Sequence, residues 1–423
     1  MLFSGRMNLR VFVPLAALFL LGLAPVPPKE EAAPRKPRAR ELGITFGGQA
    51  GPLDAITDVP GVEVGQTTLV SGEGRLRVGK GPVRTGVTAV LPRGRARLAE
   101  SMFAATYALN GNGEMTGTHW VNESGLLAGP VMLTNTNSVG VVRDAVVSWG
   151  VQHGAAWELA LPVVAETYDG LLNDIDGFHV KTEHAVRAID GARGGPVAEG
   201  NVGGGTGMIC HGFKGGIGTA SRRLPESLGG YTLGVLVQCN YGRRSLFSVE
   251  GVPVGEEIKD LLPCHTGNEA PSSSFTKDLK PCAQRAEIPS RSVSEGLGSI
   301  IVVVATDAPL LPHQLGRIAR RVPLAIGKMG GLGEDSSGDI FLAFSTQPTK
   351  PSPGSRVAQV GFLDNEHLNP LFEATVQATQ EAILNALLAA ETQTGADGVR
   401  VFALPHDRLT QALRKYGRLT PAP

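Results

Sequence analysis

The feature that most constrains the fold of this chain is the unbroken run Ser299 to Ala305, which reads SIIVVVA. Its β-branched side chains favour extended backbone, because they pack well on a pleated surface. The run is apolar at odd and even positions alike, which is typical of a strand that is covered on both faces. We therefore expect it to be the central strand of a sheet that has further layers on both sides.

Strand and helix patterns alternate around this run. Predicted strands are two segments of Ala55 to Val70 joined by a Pro60-Gly61 turn, then Val87 to Leu91, Leu161 to Glu166 and Tyr231 to Cys239. Predicted helices are Val141 to Gly150, His179 to Gly195, Pro309 to Val322 and Pro370 to Glu391. Glycine turns between the strands are too frequent for a plain doubly wound fold. The pattern favours a layered α/β sandwich instead.

Composition narrows the classes of partner. The chain has 423 residues, 42% of them hydrophobic, so it can bury a large core. Its 39 lysines and arginines balance 39 aspartates and glutamates. A nucleic-acid-binding protein usually carries a basic face that neutralises phosphates. The balanced charge therefore argues against nucleic acid as the main partner.

The N-terminus is predicted to be a targeting segment. Arg6 and Arg10 precede an apolar run, Val11 to Leu23, that is short for a membrane span and suits a signal peptide. We expect residues 1–24 to be the signal peptide of an exported protein, periplasmic or secreted; a retained membrane anchor is the alternative. Residues 25–42 are predicted to be a disordered spacer, and residues 43–423 a single catalytic domain.

The four cysteines fall into two pairs of different character. Cys210 and Cys239 lie in apolar, strand-like surroundings, and we expect both to be buried small residues without chemistry. Cys264 and Cys282 flank a polar stretch, His265 to Pro281. In an oxidising compartment a disulfide that closes this loop is expected, with free surface thiols as the alternative.

Several motifs of common active sites are absent from the sequence. The glycine-rich segment Asn201 to Gly207 lacks the Gly-Lys-Ser/Thr of a phosphate loop, which favours a tight structural turn. Asp169, Asp174 and Asp176 do not have the spacing of a calcium loop, and no HExxH motif occurs. We expect no metal and no cofactor. No Gly-x-Ser-x-Gly motif offers a place for a Ser-His-Asp triad.

Gly298-Ser299 suggests another kind of nucleophile. The polar segment Asn240 to Gly298 precedes Ser299, and cleavage of it before Ser299 would leave an α-amine on the serine itself. Such an amine has a pKa of about 8, so it can accept the hydroxyl proton near neutral pH. Gly298 permits the strained backbone that an acyl shift requires. The same pattern also fits a serine that merely begins a strand.

Longer blocks of sequence decide between these interpretations. The blocks are Ile56 to Val62, Gly203 to Ser221, Val237 to Asn240, Gly298 to Leu310 and Ala403 to Leu409. Together and in this order they resemble the DmpA-like self-processing serine aminopeptidases, the group of L-aminopeptidases/D-esterases and β-aminopeptidases. The resemblance extends from about Gly43 to Arg414.

The resemblance implies an α/β fold, the αββα four-layer sandwich of N-terminal nucleophile hydrolases with a different connectivity. It implies autocatalytic cleavage between Gly298 and Ser299 into a larger subunit (about 25–298) and a smaller one (299–423). It also implies a homo-oligomer of these processed heterodimers, commonly four.

The resemblance further implies roles for single residues. Asn240 would polarise the scissile carbonyl in an oxyanion hole, and Tyr168 would steady the oxyanion or the serine. Glu166 would hold the free ammonium of the substrate, which explains an exopeptidase. Without the resemblance, Asn240 fits a turn residue at a strand end and Glu166 an ordinary surface carboxylate.

Two more residues and one insertion complete the predicted site. Ser337 would hydrogen-bond Ser299, and Asp339 would be the counter-charge of its amine; a plain glycine-serine loop is the alternative. Some relatives have glutamate at the position of Asp339, so the reach of the shorter side chain is open. The segment from Cys264 to Cys282 appears longer than in the relatives, and we expect an exposed insertion that does not touch the chemistry.

The sequence therefore predicts an exported aminopeptidase that acts through an acyl-enzyme on Ser299. Its substrates would be short peptides, aminoacyl amides or esters, while preference for L-, D- or β-amino acids stays open because one methylene changes discrimination by only about 1–3 kcal/mol. Two alternatives remain: an acyltransferase of the ornithine acetyltransferase kind, in which threonine is the usual nucleophile, and an unprocessed binding protein.

Overall fold

The computed structural model describes residues 1–2, 36–155, 161–284, 298–349 and 356–419. The predicted signal peptide beyond residue 2 and spacer residues 25–35 lie outside this part. Within it, no helix combines the length and the apolar character needed to cross a membrane.

The described residues form fifteen strands. The first eight are β1 (Glu63–Ser71), β2 (Val83–Leu91), β3 (Met102–Ala108), β4 (Leu126–Leu127), β5 (Val131–Asn135), β6 (Val163–Thr167), β7 (Ile209–Cys210) and β8 (Phe213–Lys214). The others are β9 (Gly216–Arg223), β10 (Thr232–Asn240), β11 (Cys264–His265), β12 (Ser299–Thr306), β13 (Ile340–Ser345), β14 (Gln393–Thr394) and β15 (Val399–Val401).

The same residues form eight α-helices. They are α1 (Thr118–Ser124), α2 (Val139–Gln152), α3 (Thr182–Asp190), α4 (Val254–Glu257), α5 (Pro312–Ala319), α6 (Val322–Lys328), α7 (Asn369–Ala389) and α8 (His406–Lys415). Each predicted helix is present. The one expected over Pro309 to Val322 is α5, and α6, which begins at Val322, was not predicted. The strand expected before the Pro60-Gly61 turn is wrong, because Ile56–Asp58 forms a 3-10 helix closed by the carboxylate of Asp58.

Two large sheets carry the fold. The first has the order β1-β2-β5-β6, and the second has the order β4-β3-β13-β12-β10-β9. β12 pairs in parallel with β13 and antiparallel with β10, and every residue of it is buried. The predicted central strand of a covered sheet is therefore confirmed.

Three apolar interfaces separate four layers. Alternate residues of β12 face opposite sides: Ile301 and Val303 lie in the core between the two sheets, whereas Val302 and Val304 pack in the core that contains the buried face of α7. The outer face of the first sheet packs on α2 and α3. The order of layers is thus helix, sheet, sheet, helix, and the predicted αββα sandwich is confirmed.

The glycine-rich segment forms a tight turn inside this sandwich. Gly203–Gly205 is a buried 3-10 helix, and a Cβ atom at Gly204 would lie 2.1 Å from Oε1 of Gln238. Because only glycine fits so close to β10, the segment has a structural role, as its sequence indicated.

The domain begins earlier than the sequence predicted. The described residues from Lys36 onward form one compact unit, and residues 36–42 of the predicted spacer belong to it. Nε of Arg38 lies 2.9 Å from Oε2 of Glu199, and its Nη1 lies 3.3 Å from Oδ2 of Asp54. The next residue, Ala39, is fully buried. Charged residues suggested a solvated spacer here, but these ion pairs fix the segment on the domain.

All four cysteines form disulfides. The structure joins Cys264 to Cys282, with Cα atoms 5.0 Å apart, so the polar segment between them is a closed loop. It also joins Cys210 to Cys239, which corrects the expectation that these two are buried residues without chemistry. The apolar sequence around them predicted their burial, but it gave no sign that β7 lies against β10.

Candidate active site

Ser299 is the first residue of β12, between β10 and β13. The antiparallel register of β10 and β12 places Asn240 directly opposite Ser299. The residues that precede β13 approach Ser299 from its other side. Ser299 and Asn240, which are distant in sequence, therefore meet at one end of two neighbouring interior strands of the second sheet. Both are almost fully buried.

On the β10 side, both ends of the Asn240 amide are held. Its Nδ2 donates to the carbonyl oxygen of Tyr168 at 3.0 Å, and its Oδ1 accepts the N–H of Ile209 at 2.7 Å. These two bonds fix the orientation of the amide, so that its N–H groups point to the side of Tyr168. A donor that is held in this way is suited to an oxyanion hole, because it need not reorganise during the reaction.

On the β13 side, the hydroxyl of Ser299 is held by the backbone. Its Oγ accepts the N–H of Gly338 at 2.9 Å. Ser337 does not make the hydrogen bond to Ser299 that the sequence predicted; its hydroxyl donates to Oδ1 of Asp339 at 2.5 Å. In the tight turn before β13 the backbone N–H of Gly338 reaches Ser299 first, and Ser337 is left facing the carboxylate.

Asp339 lies close to the start of β12. Its Oδ1 also accepts the N–H of Ile300 at 3.2 Å, and its Oδ2 accepts Nδ2 of Asn110 at 3.3 Å. Burial raises the pKa of this carboxyl, and its hydrogen bonds to Ser337 and Ile300 oppose that rise. The shorter acidic residue thus reaches the backbone next to Ser299.

Glu166 is held at the end of β6 with 3% of its surface exposed. Its Oε1 accepts the N–H of Glu114 at 2.8 Å, and its Oε2 accepts the hydroxyl of Thr136. Burial is the main cause that raises the pKa of this carboxyl. A Cβ atom at Gly113 would lie 3.4 Å from Oε1 of Glu166 and 2.9 Å from Cα of Gly338. The carboxylate is therefore one backbone segment away from the residue that binds Ser299.

Tyr168 contributes its backbone and one face of its ring. Its carbonyl binds Asn240, and no hydrogen bond joins its hydroxyl to Ser299 among the described residues. Burial raises the pKa of the hydroxyl, and Asp169 and Asp176 add to the rise. Its ring meets Phe275 edge to face, with 5.5 Å between the ring centroids.

The contact with Phe275 corrects one prediction about the Cys264–Cys282 insertion. The expected exposure is confirmed, because most residues between the two cysteines are exposed. The expected separation from the site is wrong, because Phe275 lies in this segment and its ring contacts that of Tyr168. The polar composition predicted the exposure, but it gave no sign that Thr276 would be buried or that Ser272 would bind Asp397. The segment is thus anchored to the domain beside the site.

Gly298 cannot be replaced without displacing the strand next to it. Its φ angle is 152°, and a Cβ atom there would lie 1.8 Å from the carbonyl oxygen of Asn240. The peptide bond before Ser299 is therefore pressed against the residue opposite the serine.

Three residues of the site were missed from the sequence. Asn110 binds Asp339, Thr136 binds Glu166, and Ile209 binds Asn240 through its backbone. Asn110 and Thr136 lie in ordinary polar segments without a motif, so no local signal could have found them. Ile209 acts through a backbone N–H, which any residue but proline supplies.

The arrangement defines a class of protein. A serine opens a buried strand of an αββα sandwich, an amide donor faces it, and two buried carboxylates lie nearby. The order of layers is that of the N-terminal nucleophile hydrolase fold.

Comparison with known proteins gives the family. Residues 54–401 match peptidase family S58, so the chain belongs to this family. It is 54% identical over 395 residues to the β-peptidyl aminopeptidase BapA of Sphingosinicella microcystinivorans, covering 92% of this chain and 95% of that protein. The aminopeptidase names within the family support an aminopeptidase, and they agree with the resemblance seen in the sequence.

Solved structures agree with the fold. A β-aminopeptidase of Burkholderia sp. superposes with a TM-score of 0.77 at 46% identity, covering 91% of this chain and 100% of that one. The L-aminopeptidase D-Ala-esterase/amidase of Ochrobactrum anthropi, described as a variant of the Ntn hydrolase fold, gives a TM-score of 0.78 at 42% identity, with the same coverage of both chains.

Proposed function

We propose that this protein cuts itself between Gly298 and Ser299 and then acts as a β-aminopeptidase with Ser299 as its nucleophile. The observation that carries the proposal is the position of Ser299, at the head of β12 between the Asn240 amide and the Gly338 N–H. It is supported by membership of peptidase family S58.

Self-cleavage begins with attack of Ser299 Oγ on the carbonyl carbon of Gly298. The C–N bond breaks, the acyl group moves to the oxygen as an ester, and the nitrogen takes up the proton of the hydroxyl. Water then hydrolyses the ester, which releases the Gly298 carboxylate and leaves Ser299 with a free α-amine. The close approach of Gly298 to Asn240 supports this step, since it restricts the backbone on the acyl side.

Turnover uses the new amine as the base. It accepts the proton as Oγ attacks the substrate carbonyl, and it returns the proton to the leaving amine. Asn240 donates to the oxyanion, and Glu166 binds the ammonium of the substrate's first residue. Water then releases the acyl group from Ser299. Because Glu166 needs a free ammonium as partner, cleavage is limited to the N-terminal residue.

The names of the relatives favour β-amino acids as the residue removed. The Sphingosinicella and Burkholderia relatives are both named for β-peptide or β-amino acid cleavage. A β-residue places one more methylene between ammonium and carbonyl, so the distance from Glu166 to Ser299 decides between the two substrate classes. We infer a preference for short peptides and amides that begin with β-alanine or its substituted forms.

The test compares matched substrates on the cut protein. We expect kcat/KM to be at least about tenfold higher for β-alanyl p-nitroanilide than for the L-alanyl and D-alanyl compounds. A higher value for L-alanine would contradict the β-specificity but keep the aminopeptidase. Failure to cleave any aminoacyl amide by the cut protein would contradict the enzyme itself.

Two further properties belong to the same proposal. The apolar run Val11 to Leu23 supports export, and N-terminal sequencing of the protein from a periplasmic extract should show loss of residues 1–24. The resemblance to the family supports an assembly of processed heterodimers, commonly four, which light scattering of the purified protein tests.

A further inference from the structure

The Cys264–Cys282 loop reaches the active site through one exposed aromatic side chain. Phe275 has 44% of its surface exposed, while the next residue, Thr276, is buried. The ring of Phe275 meets that of Tyr168 at 5.5 Å, and the carbonyl of Tyr168 binds the Asn240 amide. An apolar surface that is open to solvent therefore begins one residue away from the proposed oxyanion hole.

The loop that carries Phe275 is held in a defined position. The disulfide closes it, and Cys264–His265 pairs with β15. In its middle, the backbone and hydroxyl of Ser272 both donate to Oδ2 of Asp397, at 2.7 and 2.6 Å. These anchors lie on both sides of Phe275, so its ring is presented by a fixed backbone and not by a free loop.

The two sides of Ser299 have different contacts. Glu166 lies on the β13 side, where Gly113 separates it from Gly338. Phe275 lies on the β10 side, where Tyr168 connects it to Asn240. If the substrate ammonium is at Glu166 and its carbonyl carbon at Ser299, the acyl part occupies the β13 side. The part of the substrate after the scissile bond then extends to the β10 side.

We propose that Phe275 is a specificity-determining residue that binds an apolar or aromatic group on the leaving-group side of the scissile bond. This inference rests on the proposed function of Ser299. It adds the kind of residue that the enzyme prefers directly after the scissile bond of its substrate. An exposed aromatic ring binds apolar and aromatic groups by removing their surface from water. Substrates with a bulky apolar second residue are therefore preferred over simple amides.

The test measures selectivity between leaving groups with one acyl group. Phe275→Ala is expected to lower kcat/KM for β-alanyl p-nitroanilide and for β-alanyl-leucine by about three- to tenfold. Hydrolysis of β-alaninamide, whose leaving group is ammonia, should change less than about twofold. Phe275→Leu, which keeps an apolar side chain, should recover most of the selectivity.

Two other variants serve as controls. Phe362 is 55% exposed and lies near the opposite end of β12, where the N–H of Leu363 donates to the carbonyl oxygen of Pro309. Phe362→Ala should therefore leave the hydrolysis of all three substrates unchanged. The double variant Cys264→Ser, Cys282→Ser removes one of the anchors of the loop and should change selectivity in the same direction as Phe275→Ala, by a smaller factor. The gel bands of each variant establish first that the chain has cut itself.

Equal losses on all substrates in Phe275→Ala would overturn the proposal, because they would show that the ring only supports Tyr168. No effect on any of the three substrates would overturn it as well. Failure of the wild type to cut itself would instead contradict the proposed function, which keeps the two outcomes separate.

Discussion

At the scale of residues, the reactive hydroxyl is held by backbone and the groups around it are held by one another. Ser299 Oγ accepts from Gly338, whereas Ser337 and Asn110 both donate to Asp339. A hydroxyl whose oxygen is held 2.9 Å from a backbone nitrogen, as Ser299 Oγ is by Gly338, needs little reorganisation before it attacks a carbonyl carbon. The polar network therefore orients the start of β12, where Ser299 is the proposed nucleophile.

Glu166 gives the first prediction, on substrate binding. Replacement by glutamine keeps the shape of the side chain but removes its charge. We expect kcat/KM to fall about ten- to a hundredfold, which corresponds to the loss of one hydrogen bond between charged groups. Because burial raises the pKa of this carboxyl, it takes up a proton at a higher pH than an exposed glutamate. Below that pKa the ammonium loses its partner, so kcat/KM falls as the pH is lowered.

Profiles of kcat/KM against pH check this assignment, since they report the groups of the free enzyme. Glu166→Gln should lose the acidic limb that belongs to the carboxyl and keep the limb that belongs to the Ser299 amine. A variant with an unchanged profile and unchanged affinity would show that the ammonium binds elsewhere.

Gly298 gives the second prediction, on stability and self-cleavage. In Gly298→Ala the new Cβ atom would lie 1.8 Å from the Asn240 carbonyl oxygen, so β10 and β12 must separate. We expect slower self-cleavage and a loss of about 1–3 kcal/mol in unfolding free energy.

A second glycine provides the control for this variant. Gly327 lies in α6, and a Cβ atom there has no heavy atom within 4 Å. Gly327→Ala should therefore cut itself normally, with stability unchanged or higher by up to about 1 kcal/mol. Equal behaviour of the two variants, measured by gel band intensities over time and by urea unfolding, would contradict the steric account of Gly298.

Residue roles were the part of the site that single motifs could predict least. The strand patterns placed Ser299 and Asn240 at strand ends, and the register brings the two together, but their roles came from the resemblance to the family. The partner of Ser337 was wrong, because it depends on the path of the turn before β13. Phe275 was missed because its contact with Tyr168 joins segments that are distant in sequence.

At the scale of elements, α7 is joined to β9 by a buried ion pair. Arg222 Nη2 lies 2.6 Å from Glu381 Oε2, and both side chains are almost fully buried. Arg40 lies 2.8 Å from the other carboxylate oxygen. The second sheet and its covering helix are thus linked by charge as well as by apolar packing.

Removal of Glu381 gives the third prediction. Glu381→Ala should lower the free energy of unfolding by about 3 kcal/mol, because it leaves Arg222 buried without its main partner. The loss is at the lower end of the usual range, since Asp54 remains 3.8 Å from Arg222. Glu373→Ala, an exposed position of the same helix, is the matched control in urea unfolding; equal losses in the two variants would contradict the role of the ion pair.

Elements were predicted best where a long pattern fixed them. β12, β10 and α7 follow clear apolar patterns and were found close to their observed bounds. The 3-10 helix Ile56–Asp58 was mistaken for a strand, because its closure depends on the carboxylate of Asp58 rather than on periodicity. The disulfide between Cys210 and Cys239 depends on the position of β7 against β10, which the sequence does not encode locally.

At the scale of the whole molecule, the sandwich places the Gly298-Ser299 bond at one end of its central strand. The layers fix β12 on both faces, and β10 and β13 fix it on both edges. A cut immediately before β12 would therefore leave the strand and its neighbours in place. The new N-terminus would appear inside a site that is already assembled.

The most direct test of this account is the state of the purified chain. On a denaturing gel the wild type should give two polypeptides, and N-terminal sequencing of the smaller one should begin at Ser299. Ser299→Ala, shown by circular dichroism to be folded, should give one full-length band and no aminopeptidase activity. A single full-length wild-type band, a smaller polypeptide beginning at another residue, or normal cleavage of Ser299→Ala would contradict the central claim.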